Sequence, residues 1–134
     1  MKDNQALIIV DVQKDFLETG ALPVKDGSQV VPVINRISPK FKHVVFTQDW
    51  HPQGHISFAS SHPGQAPYST SDVSYGKQVL WPAHCVAGTE GAAFAEGLVT
   101  SCADLILRKG TCAERDSYSA FLEADGRTRT GLAG

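Results

Sequence analysis

Long hydrophobic runs are missing from this chain. The longest, ALIIV at 6–10, is far too short to cross a bilayer. The preceding MKDNQ has no signal-peptide layout, because the apolar stretch breaks at Asp11. An excess of one charge is also missing: 12 Lys and Arg stand against 14 Asp and Glu, for a net charge of −2. No basic stripe offers itself to nucleic acid, and no polybasic run offers itself to an anionic membrane. Cysteine is scarce. Cys85, Cys102 and Cys112 are odd in number and widely spaced, with no CxxC. That argues against a disulfide framework and against a four-sulfur zinc site. Repeats and low-complexity segments are absent. A soluble, cytoplasmic protein without membrane or nucleic-acid partners is the expectation.

The 134 residues suit one domain, and 42% hydrophobic residues suffice for one core. ALIIVDV (6–12) is a short apolar run ending in an acid, as in a strand buried on both faces of a parallel sheet. QKDFLETGALPVKDG follows as a loop. SQVVPVINRISPKF (28–41) spaces Val30, Val33, Ile34 and Ile37 as a helix does, with Ser28 as N-cap and Pro32 near the first turn. HVVFTQD (43–49) is a second buried strand, which completes a βαβ unit. Residues 50–91 hold Pro52, Pro63, Pro67 and Pro82, many Gly and Ser, and little periodicity. So long a connection in a small domain points to function. A short helix at 92–98, a third strand at 104–110 and a turn with a short helix at 116–125 complete the pattern. The fold class expected is α/β.

Three charged residues share one kind of position. Asp11, Asp49 and Lys109 each stand at or just past the carboxyl end of an expected strand. Open α/β sheets place their ligand crevice outside those ends. Asp49 and His51 alternate in an extended segment and so point the same way. WPAHC adds His84 from the far end of the long connection. One carboxylate and two imidazoles suit Zn²⁺, Fe²⁺ or Mn²⁺. The same residues also read as a capping Asp and loop histidines. His55 is either a fourth ligand or a loop hydrogen-bonder, and His43 and His62 read as surface residues. An acid at the end of a buried strand needs support, and Lys109 is the natural partner of Asp11. The pair reads equally as a structural salt bridge or as a base with its charge tuned. The nucleophile is not evident. Cys85 lies next to His84, away from any strand end or helix start that would support a thiolate, so it reads as structural. Cys112 is a weaker alternative.

Together, ALIIVDVQKDF, TQDWHPQGHISF, LWPAHCVAGTEGAAF and RKGTCAERDSYSAF resemble the nicotinamidase/pyrazinamidase branch of the isochorismatase-like cysteine hydrolases. The resemblance covers almost the whole chain, with the motifs in family order. It implies a three-layer fold: a six-stranded parallel sheet with helices on both faces, of which about the first three strands are present here. It implies Asp11 as general base and Lys109 as catalytic lysine. Asp49, His51 and His84 become metal ligands, with His55 at a position that joins the metal shell in some members. Phe16 and Trp81 match aromatic residues flanking the substrate ring, and Leu22 and Tyr118 are looser matches to the pocket lining. The implied reaction is hydrolysis of nicotinamide, or pyrazinamide, to the acid and ammonia in NAD salvage, with one divalent ion, foremost Zn²⁺.

One departure stands out. The family nucleophile lies in a G-x-A-T-D-x-C-like turn after the fourth strand, and no such segment occurs here. The resemblance therefore implies that residues 1–134 are the N-terminal two-thirds of a single hydrolase domain. A C-terminal segment or a neighbouring chain would complete the sheet, and a homo-oligomer is compatible with that. Two other readings stand beside this one: a hydrolase of the same superfamily acting on an N-carbamoyl or isochorismate-type substrate, and an inactive metal-binding remnant.

Overall fold

The computed structural model describes residues 4–133. Its centre is a parallel sheet of β1 (Ala6–Ile9), β2 (His43–Asp49) and β5 (Leu105–Lys109), in the order β1-β2-β5. Register pairs Ile9 with Phe46 and Asp49 with Lys109. Between β1 and β2 the chain crosses over through α1 (Val30–Ile37), flanked by 3₁₀ turns at Gly27–Gln29 and Ser38–Lys40. The expected strand, helix, strand unit is present. All three expected strands form, and each carries a charged residue of the site at or near its carboxyl end.

Alternation along the strands decides the core. Leu7, Ile9, Val44 and Phe46 share one sheet face, and Ile9, Val44 and Phe46 pack with Val31 of α1, Val12 and Ala95. Phe94 meets Phe46 edge-on, with centroids 5.6 Å apart. Burying such side chains contributes roughly 1.5–3 kcal/mol each.

Several local expectations are corrected. Ser28 does not cap α1. It lies in the preceding 3₁₀ turn, where its N–H and hydroxyl donate to Glu18 Oε1 at 3.0 and 2.9 Å. Val31, not Val30 or Val33, is the buried valine of the helix, because the face toward Ile9 and Val44 is offset from the one the spacing suggested. Neither 92–98 nor 116–125 is helical. Their backbone groups find non-helical partners instead, such as Ala95 N–H to Val12 O and Ala124 N–H to Asp116 O. Inside the long connection lies an unexpected hairpin, β3 (Thr70–Val73) with β4 (Gly76–Val79). β1 and β5 are less buried than their apolar sequences suggest, since each lies at an edge of the sheet among the described residues. Beside β1, an open groove of about 610 Å³ exposes Val10, Val30 and Val33. No helix among the described residues is long and apolar enough to cross a membrane.

Candidate active site and metal centre

After β1 the chain must turn sharply, and Asp11 takes a positive φ of 53°. Aspartate tolerates that region better than most residues. The turn is pinned by Asp11 N–H to Thr47 O (3.2 Å) and by Gln13 N–H to Asp11 O (2.9 Å). It brings the Asp11 carboxylate to Lys109, with Nζ 2.7 Å from Oδ2. β1 and β5 are not neighbours; β2 separates them, and the Lys109 side chain reaches across its end. Lys109 also donates to Asp49 Oδ1 and to Ser117 O (2.9 Å). Its three N–H groups are thus all used, as a buried ammonium requires. Thr47 adds a hydroxyl donor to Asp11 Oδ1 at 2.7 Å.

The charges push one another apart in proton affinity. Burial and the neighbouring Asp49 charge raise the Asp11 carboxyl, and Lys109 and Thr47 offset only part of that. For Asp49, burial also pushes upward, but His51 and Lys109 outweigh it and hold the carboxyl low. Burial lowers Lys109, and the two carboxylates more than reverse it. One carboxylate is thereby a better proton acceptor than an ordinary aspartate, beside another that stays ionised.

His51 follows Asp49 by two residues, and its Nε2 lies 3.6 Å from Asp49 Oδ2. His84 arrives from the other end of the long connection. His51 N–H donates to Cys85 O at 3.0 Å, and Ala87 N–H to His51 O at 2.8 Å, so the two ligand segments run side by side. Asp49, His51 and His84 are all buried, with one ligand atom from each within 4.8 Å of the others. His51 Nδ1 is 2.9 Å from Gly110 O, and His84 Nδ1 is 2.8 Å from Pro82 O. A carbonyl only accepts, so in each neutral ring Nδ1 carries the hydrogen and Nε2 keeps its lone pair. With Lys109 on Oδ1, Asp49 retains Oδ2. The donor set fits a divalent ion.

His55 stands beside this set. Its ring lies 4.2 Å from that of His51, but Nδ1 meets Ser57 Oγ at 2.7 Å and Nε2 donates to Arg115 O at 3.0 Å. Both nitrogens are engaged, although His51, His55 and Asp116 also come within ligand reach of one another. Phe58, fully buried, packs against the imidazoles of His51, His55 and His84. His43 is exposed near Asp104, and His62 is half-buried with Nε2 donating to Ile56 O.

A cavity of about 230 Å³ opens over these groups. Phe16, Leu22, Trp81 and Tyr118 line it together with Asp11 and Lys109. Every pocket residue singled out from the sequence therefore reaches one space. None of the three thiols has the look of a nucleophile there. Cys85 is fully buried, and burial with the Asp49 and Asp15 charges drives its thiol far up; Cys112 is exposed and Cys102 half-buried.

Sequence reasoning passed over several contributors. Gln13 is fully buried and clasps the Asp49 peptide, donating to its carbonyl and accepting from its N–H, both at 2.8 Å. Gly110 packs on His51: a Cβ there would lie 2.5 Å from Cε1, and φ is +65°. Asp116, Ser117 and Gln78 also belong to the site's surroundings. DSYSAF offered a signal for Asp116, whereas nothing local marks Gln13 or Gln78.

The isochorismatase domain model matches residues 5–134. A nicotinamidase of Acinetobacter baylyi is 52% identical over 132 residues, covering 98% of this chain and 62% of the relative. The solved Acinetobacter baumanii nicotinamidase pyrazinamidase superposes with a TM-score of 0.97 at 51% identity, over 100% of this chain and 65% of that one. A pyrazinamidase of Pyrococcus horikoshii, solved in complex with zinc, gives a TM-score of 0.68 at 38% identity, over 96% of this chain and 60% of that one. The chain thus spans about 62% of the length of the curated relatives it matches.

Proposed function

This chain belongs to the isochorismatase-domain family, and we propose that it forms the N-terminal two-thirds of a nicotinamidase. The enzyme hydrolyses nicotinamide, and pyrazinamide as an analogue, to the acid and ammonia in NAD salvage in the cytoplasm. One observation carries the reading. Lys109 joins Asp11 to Asp49 at the floor of a cavity walled by Phe16, Trp81 and Tyr118, with His51 and His84 beside it. The nicotinamidase and pyrazinamidase relatives support the substrate.

The Asp11 carboxylate takes the proton of a cysteine thiol, and the thiolate adds to the amide carbon. Asp11 returns the proton to the amide nitrogen and ammonia leaves. Water, deprotonated by Asp11, then cleaves the thioester to release nicotinate. Lys109 holds Asp11 in place and neutralises charge. Asp49, His51 and His84 would hold one zinc ion, with Fe²⁺ or Mn²⁺ as alternatives. When bound, the ion supplies a Lewis-acid anchor for the ring nitrogen. The cysteine comes from a segment beyond residue 134 or from a neighbouring chain, and that segment pairs along the edge of β1 that has no strand beside it among the described residues. The unpaired edge and the apolar groove beside it support this.

The test joins residues 1–134 to a C-terminal segment carrying the cysteine turn, loads zinc, and compares ammonia release from nicotinamide and from N-carbamoyl compounds. Nicotinamide should be the substrate; preference for an N-carbamoyl compound would move the chain to another branch of the family. Expressed alone, residues 1–134 should be inactive and should aggregate. A soluble, cooperatively folding monomer that hydrolyses nicotinamide would refute the need for a further segment.

A further inference from the structure

The β3–β4 hairpin sends one buried polar side chain toward the cavity wall. Gln78 is 1% exposed, and its amide is fully engaged. Oε1 accepts from the Tyr75 hydroxyl at 2.8 Å. Nε2 lies 2.9 Å from Asp116 Oδ2, 2.7 Å from the Tyr118 hydroxyl oxygen and 2.7 Å from Val79 O, so its two hydrogens are shared among three acceptors. The Tyr118 oxygen also accepts from Trp81 Nε1 at 3.1 Å. One phenol thereby ties together the two aromatic walls of the cavity, and Gln78 is the buried donor that holds that phenol in place. Asp116, another of the three acceptors, takes the N–H of Ser117 at 2.8 Å, and the Ser117 carbonyl holds Lys109. Tyr118 is otherwise mostly exposed. Besides the buried amide, the Tyr118 hydroxyl meets the half-buried Trp81 indole and the Asp116 carboxylate, and Gln78 donates to that carboxylate too.

We propose that Gln78 is a positioning residue for substrate binding: it fixes the Tyr118 hydroxyl and the Asp116 carboxylate, and so holds the Trp81–Tyr118 wall against the substrate ring. The inference rests on the amide-hydrolase reading of the pocket. A wall that grips the ring contributes alike before and during reaction, so its loosening raises KM more than it lowers kcat. Lys109 keeps two carboxylate partners when the Ser117 carbonyl shifts, so the chemical step is largely spared.

The experiment uses the completed, zinc-loaded enzyme, with Gln78→Met, Tyr118→Phe and the double variant. Lys77→Ala, an exposed change on the same hairpin, is the control. Gln78→Met should raise KM for nicotinamide about tenfold, the scale of one lost buried hydrogen bond, with kcat changed less than about threefold. The double variant should be no worse than the poorer single variant, because both changes break one network. Additive effects, or a fall in kcat at unchanged KM, would overturn the proposal. If Gln78→Met does not fold cooperatively, Gln78→Leu takes its place, branched and likewise without donors, and the same outcomes decide. A second readout is independent of turnover. With 5-fluorotryptophan incorporated, the Trp81 resonance should shift or broaden in the Gln78 variant while that of Trp50 stays in place. An unchanged Trp81 signal would overturn the inference whatever the substrate. A wild-type enzyme that ignores nicotinamide would overturn only the substrate assignment, and the Trp81 signal would still decide the role of Gln78.

Discussion

At the carboxyl ends of the strands, Asp49 and Lys109 are register partners in the parallel ladder between β2 and β5. In the long connection after β2, His84 is placed by loop backbone, through the bonds joining His51 to Cys85 and Ala87. The two regions meet at one cavity but answer to different forces. The first is positioned by sheet geometry, and its charges constrain one another inside the protein. The second is positioned by local hydrogen bonds and by the packing of Phe58 under three imidazoles. Changes at the sheet end should therefore cost chemistry and stability. Changes in the connection should cost metal and substrate affinity first.

The sharpest way to break that division is Asp11→Ala. In the completed enzyme turnover should fall by about 10²–10⁴-fold, the usual contribution of a general base, while zinc content measured by atomic absorption stays at the wild-type level. Loss of zinc along with activity would show that the two regions are not separable. Next comes Lys109→Met. It leaves the buried carboxylates of Asp11 and Asp49 without their shared cation, and removing one partner of a buried ion pair costs about 3–5 kcal/mol. Urea unfolding of the completed enzyme would read this; a midpoint within error of wild type would mean that the carboxylates find other relief.

Gly110→Ala probes the junction, because Gly110 follows the last residue of β5 yet its carbonyl orients His51. A Cβ would collide with the imidazole, and a disturbed partner of a ligating histidine typically costs 10–100-fold in metal affinity, so a loss of roughly that size is expected in competition with a chelator. Unchanged zinc affinity would remove Gly110 from the metal site. The smallest effect belongs to Thr47→Val. Burial and the Asp49 charge already place the Asp11 carboxyl above its ordinary range, so the acidic limb of kcat/KM should lie above the free aspartate value of about 3.9. Asp11 must be ionised to act, so activity falls as pH drops through that limb. Thr47 donates to the charged form, and its loss should move the limb higher still, with a several-fold fall in kcat/KM at a pH inside it. An unmoved limb would mean that the hydroxyl plays no part in setting the base.

The two regions also differ in how far they could be read from the sequence. ALIIV, HVVF and LIL announce themselves as strands because continuous apolar runs have few other homes. A charged residue after each then falls at the sheet end by counting. The D-x-H pair is legible for the same reason, since alternate residues of an extended segment share a side. Beyond that, local pattern stops informing. The segment 92–98 looks helical by composition but spends its backbone on Val12 and Gln13. The hairpin at Thr70–Val79 is short and polar outside. Gln13 and Gln78 look like surface glutamines, and only their burial makes them parts of the site.

What the sequence determined by itself was the three strands of the parallel sheet, the chemistry of the residues at their ends, and the family those motifs resemble. These depend on apolar periodicity and residue type, which are properties of neighbouring positions. Only the tertiary structure decided that β2 separates β1 from β5, that Lys109 serves Asp11, Asp49 and Ser117 at once, and that His84 lies against His51. It also decided that His55 has both ring nitrogens occupied and that a glutamine from the hairpin ties Tyr118 to Asp116. These depend on which buried donors find which acceptors across tens of residues of chain. Nothing local encodes that pairing, because a buried polar group is satisfied by whatever partner the packing brings to it.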